Sequence, residues 1–163
     1  MYLLDTGILL DLREARRANA DPALSAWAER VSAQHMFVSA LTLLELEQAA
    51  ALAAQRAKDL GAVWRDWLDR QIGPAFEGRV LSIDVAVIQR RAQISYTDDR
   101  EGILAATALV HNLALVTKEP NKYRAGRVRV LDLAKLEFEG GEAGDWREAT
   151  RSGAGWVRNL FVR

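Results

Sequence analysis

Asp5, Glu45, Glu101 and Glu119 are carboxylates at comparable places along the chain. Each follows, or stands near, the carboxyl end of a short apolar run that reads as a β-strand. Carboxylates brought to one place repel one another, and several ionised together need a cation. An all-oxygen set suits a hard divalent ion, Mg2+ or Mn2+. Such an ion lowers the pKa of a bound water, orients it, and stabilises charge on a phosphoryl group. The chain has no cysteine and only the histidines His35 and His111, which argues against a zinc site of the usual kind. His111, close to a helix end, reads as structural. Each acid also has an ordinary explanation. Asp5 could cap a helix, Glu45 and Glu101 could complement a helix dipole from the first turns, and Glu119 could belong to a turn. The case for chemistry rests on all of them reaching one mouth of one sheet.

The stretch that must position them is residues 101–119, EGILAATALVHNLALVTKE. Ile103, Ala106, Thr107 and Val110 keep helical spacing, and Leu104, Ala105, Ala108 and Leu109 make the other faces apolar. The spacing predicts a buried helix. Asn112 suits the position just past its end, and residues 113–117 form a strand too apolar for a sheet surface.

Upstream, residues 2–5 read as a strand stopped by an acid, followed by a turn at Thr6-Gly7 and a helix from Ile8. Asp21-Pro22 opens another helix. Residues 36–39 form a second strand, and a long helix from Leu41 carries Glu45 in its first turns. Residues 58–72 are expected to be helical, with Val63, Trp64 and Trp67 packing inward and Gly73-Pro74 breaking the helix. A third strand covers 80–83, Asp84 caps a helix over 85–94, and 128–131 is an edge strand. Strands alternating with helices predict an α/β fold: three layers, α/β/α, around a central parallel sheet of about five strands. Ligands of such sheets bind beyond the carboxyl ends of the strands.

A length of 163 residues, half of them apolar, suits one domain with a sizeable core, placed at 1–135, with a C-terminal tail at 136–163. Lysine plus arginine equals aspartate plus glutamate at 22 each, so the basic excess of a non-specific nucleic-acid binder is missing, while a local basic site stays compatible. The N-terminus enters a strand and reaches an acid at once, unlike a signal peptide. No apolar run approaches the roughly 20 residues that span a bilayer. The expectation is a soluble cytoplasmic protein without a membrane partner. The tail combines Trp146, Trp156 and Phe161 with Arg147, Arg151, Arg158 and Arg163, the composition of an interface. It could instead pack on its own domain, or fold back with Arg147 or Arg151 on the acids.

The blocks YLLDTGILLDLR, SALTLLELEQ, RVLSIDVAV, the 101–119 stretch and GRVRVL, in that order, resemble the PIN-domain ribonuclease toxins of the VapC type, from the N-terminus to about Leu131. The resemblance implies a PIN-like α/β/α domain and a Mg2+- or Mn2+-dependent endoribonuclease. It also implies a homodimer neutralised by a cognate antitoxin. Asp5 matches the family's first acid and Glu45 its second, in the pattern Thr-x-x-Glu-Leu. Glu101 and Glu119 fall where the family has its later acids. On this match Asp5, Glu101 and Glu119 would hold the metal and Glu45 would position or activate water. Lys118, Lys122 and Arg124 would meet the RNA backbone, where phosphate contacts supply most affinity.

The departures cluster at the same place. Gly7 stands where the family usually has Asn, and Ala49 replaces a common Gly. Glu101 is a methylene longer than the usual Asp. Lys122 stands where many relatives have an acid. These changes motivate an alternative: a catalytically weakened or inactive PIN-like protein that acts by binding a partner or RNA.

Overall fold

The computed structural model describes residues 1–14 and 21–131. Its centre is a parallel sheet of five short strands: β1 (Tyr2–Leu4), β2 (Met36–Ser39), β3 (Val80–Leu81), β4 (Ala114–Val116) and β5 (Val130–Leu131). Their order is β3-β2-β1-β4-β5, so the first strand lies in the middle. Leu4 is level with Val38 on one side and Val116 on the other.

Alternation along the strands divides the core in two. Leu4, Val38 and Val116 face one layer, formed by α1 (Thr6–Glu14), α2 (Pro22–Arg30), α3 (Ala40–Arg56) and α4 (Lys58–Trp67). Leu3, Leu115 and the partly buried Phe37 face the other, where α7 (Asp99–Val110) packs with Leu104, Ala105 and Ala108. The helix α6 (Val85–Ala92) lies against α7. Three α/β/α layers result, as the alternating pattern requires. Asn112 takes the left-handed conformation, φ 53°, that lets the chain leave α7 and enter β4.

Some boundaries differ from expectation. Gly73-Pro74 does not stop the helix. The chain passes from α4 through a π-helical turn (Leu68–Ile72) into the short α5 (Gly73–Ala75). Proline at a first-turn position forfeits an amide that needs no helical acceptor there. Val63 is 45% exposed rather than inward, while Trp67 is fully buried and Trp64 packs edge-on against it at 5.7 Å. α7 starts at Asp99, capped by Asp98, whose Oδ1 accepts from the Glu101 amide at 3.0 Å. Among the described residues no helix is long and apolar enough to cross a membrane. The tail lies outside the described residues.

Candidate active site

The acids gather at the carboxyl edge of the sheet, where β1 and β4 lie side by side. Asp5 follows β1 directly and is 6% exposed. Its amide donates to the Val116 carbonyl at 3.1 Å, which docks it beside β4. Its carboxylate does not cap α1. Oδ2 accepts from the Thr117 hydroxyl at 2.9 Å, and Oδ1 accepts from the Arg100 guanidinium at 2.7 Å. Burying a carboxylate is costly unless partners hold it, and here each oxygen has one.

Glu45 projects from α3 toward the same edge. It accepts from the Thr6 hydroxyl and from Arg100, whose second nitrogen reaches Glu45 Oε2 at 3.1 Å. Arg100 therefore lies between Asp5 and Glu45. Burial opposes its charge, but hydrogen bonds and the charges of Glu45 and Asp5 more than compensate, so the guanidinium is held more firmly protonated than usual.

Glu101, in the first turn of α7, and Glu119, just after β4, form a second pair. Lys122 bridges them, at 2.8 Å from Glu119 and 3.6 Å from Glu101. The hydrogen bond to Glu119, with the charges of both acids, raises the ammonium's pKa. An open hollow of about 340 Å3 is lined by Glu101 and Lys122 together with Tyr96 and Asp98. Of the other basic residues singled out in the sequence, Lys118 pairs with Asp11 on α1, and Arg124 is exposed on the 3-10 segment Pro120–Gly126. Gly7 sits in the first turn of α1 with no atom within 4 Å of where a Cβ would be.

Sequence reasoning did not single out Arg100, Thr6, Thr117 or Tyr123. Tyr123 is 1% exposed, and its hydroxyl makes no hydrogen bond among the described residues. Burial raises its pKa most. The negative charge of Asp5 adds to this, Arg100 partly opposes it, and Glu101 adds again.

The residues suit a divalent cation in kind and in charge. The donors are all carboxylates, and four acids against two cations leave a net charge of about −2. The acids are held in two pairs by Arg100 and Lys122, and among the described residues no three acidic or histidine side chains stand close enough together to hold a metal ion.

A family model described as PIN domain matches residues 2–128. The chain is similar to Toxin FitB of Neisseria gonorrhoeae, 31% identical over 140 residues, covering 81% of this chain and 97% of the relative. It is also similar to VapC ribonuclease Y4jK of Sinorhizobium fredii, 26% identical over 140 residues, covering 81% and 96%. Among solved structures it resembles FitAcB from Neisseria gonorrhoeae, with a TM-score of 0.74 at 28% identity, covering 83% of this chain and 100% of that one. It also resembles FitAB bound to an IR36 DNA fragment, with a TM-score of 0.73 at 26% identity, covering 86% and 100%.

Proposed function

The chain belongs to the PIN-domain family, and from that premise we propose that it is a metal-dependent endoribonuclease toxin, restrained by a cognate antitoxin. The observation that carries this reading is the placing of Asp5. A carboxylate is kept buried at the end of the central strand, both oxygens held, with Glu45 joined to it through Arg100. Structural economy alone favours an apolar residue in such a position. The names of the relatives support a toxin and a ribonuclease.

In this reading Asp5, Glu101 and Glu119 hold Mg2+ or Mn2+, which when bound supplies a water of lowered pKa and offsets charge on the scissile phosphate. Thr117 fixes the rotamer of Asp5, so one carboxylate oxygen is oriented before substrate arrives. Glu45, held by Thr6, receives the proton of the attacking water at Oε1 or Oε2. Lys118, Lys122 and Arg124, on the segment following β4, meet backbone phosphates of single-stranded RNA. The protein acts as a cytoplasmic homodimer. Exposed Leu44, Leu52 and Leu60 offer apolar area to a protein partner.

Cleavage of single-stranded RNA during a Mn2+ titration tests the reading, with Asp5→Asn as control. Cleavage that needs Mn2+ and vanishes in the variant supports it; no cleavage at any Mn2+ concentration by folded protein removes it. The two basic bridges, Arg100 and Lys122, favour a second reading, a binding protein whose acids are permanently neutralised. That reading gives RNA or partner binding indifferent to Mn2+.

A further inference from the structure

We propose that Arg100 is a built-in counter-cation that competes with the divalent ion for Asp5 and occupies Glu45 meanwhile, and that on ion entry it swings out to hold an RNA phosphate. The proposal rests on the metal-dependent reading above.

The guanidinium bonds both carboxylates, at 2.7 Å to Asp5 and 3.1 Å to Glu45. It therefore occupies one of the oxygens that the ion would take, on Asp5, and at the same time holds the Glu45 carboxylate that would act on its water. Two positive groups crowded there repel each other, so guanidinium and ion exclude one another. The arginine is able to leave. Its side chain is 35% exposed, against 8% for Asp5, and it sits at the outer end of α7.

Lys122 competes far less. Its side chain is 44% exposed, and its contact with Glu119 is a surface pair three residues apart. Pairs of that kind hold weakly. Charge-assisted guanidinium–carboxylate bonds are the stronger class, and Arg100 makes them to two partners. Tyr123 is the buried hydroxyl next to this guanidinium. Departure of the guanidinium would take away its one charged neighbour of opposite sign to Asp5.

Once displaced, the guanidinium needs a new acceptor. A phosphate is the best geometric match for its planar fork. The same side chain would thus hold the empty site together and engage substrate in the filled one.

The test is calorimetric titration of Mn2+ into full-length wild type, Arg100→Gln, Arg100→Lys and Asp5→Asn. Melting temperature without metal and affinity for a non-cleavable single-stranded RNA are measured alongside. Arg100→Gln is expected to bind Mn2+ about tenfold more tightly, to melt lower without metal, and to bind RNA more weakly in Mn2+. Arg100→Lys, which keeps the charge but loses the fork, falls between, and it reports if the Gln variant does not fold. Unchanged or weaker Mn2+ binding by Arg100→Gln, with wild-type binding abolished by Asp5→Asn, overturns the role of Arg100 and leaves the enzyme reading standing. No Mn2+ binding by folded wild type or Arg100→Gln overturns both.

Discussion

Gly102 has no side chain, and Arg91 uses the space: a Cβ built on Gly102 would lie 2.6 Å from Arg91 Cδ. Arg91 reaches across from α6 to donate to the Ile94 carbonyl at 3.1 Å and the Tyr96 carbonyl at 3.0 Å, and it pairs with Asp99 at 2.9 Å. One arginine thus fastens the loop that leads into the first turn of α7, where Arg100 and Glu101 stand.

Gly102→Ala is therefore expected to cost about 1–3 kcal/mol, because Arg91 must give up part of its hydrogen bonding to admit a methyl group. Denaturant unfolding measures the loss. In an Arg91→Ala background the same substitution should cost much less, and equal costs in the two backgrounds would show that the clash is not with Arg91.

Gly7→Asn should behave in the opposite way. Open space surrounds the position, and asparagine is a slightly better helix former than glycine. A gain of a few tenths of a kcal/mol is expected. A loss above about 1 kcal/mol would mean that the first turn of α1 cannot accept a side chain.

Tyr123→Phe keeps the buried ring and removes a buried hydroxyl that has no well-aligned hydrogen bond among the described residues. Stability near neutral pH should stay level or rise by up to about 1 kcal/mol. The pH profile carries a second signature. The folded-state pKa of Tyr123 is raised, chiefly by burial. Its contribution is complete below the unfolded value of about 10 and is lost as pH rises beyond it toward the folded value. Wild type should therefore lose stability between pH 10 and 12 more steeply than Tyr123→Phe.

Asp5→Asn removes one charge from the pair that holds Arg100. Allowing for the partial exposure of the arginine, a cost of about 1–3 kcal/mol is expected. RNA cleavage should fall by a factor of about 100 or more. A folded variant that cleaves like wild type would exclude Asp5 from the chemistry.

The strands were legible because each is an apolar run ending in a polar stop, and their parallel pairing followed from the helices between them. Asp5 was legible as the stop that ends β1, whereas Glu45 and Glu101 lie inside the first turns of α3 and α7. Arg100 was not, because its partners lie 95 and 55 residues away and only the tertiary fold joins them. The start of α7 is hard to read because Asp98, Asp99 and Glu101 all suit a helix entrance, and side-chain geometry selects Asp98 as the cap. Tyr123 reads as one more loop aromatic until its segment folds under α7. Gly73-Pro74 looked like a stop because composition does not reveal that the preceding turn widens into a π-helix.

The position of β1 in the middle of the sheet has a consequence for biosynthesis. Leu4 cannot gain its second neighbour until Val116 has been made, and the Thr117 hydroxyl that holds Asp5 comes 112 residues after it. A ribosome-bound chain stopped before residue 100 therefore carries Asp5 and Glu45 but neither Arg100 nor the strand that completes their setting. Premature release would yield fragments with an unfinished cluster, and the cell meets the assembled site only when nearly the whole domain has been translated.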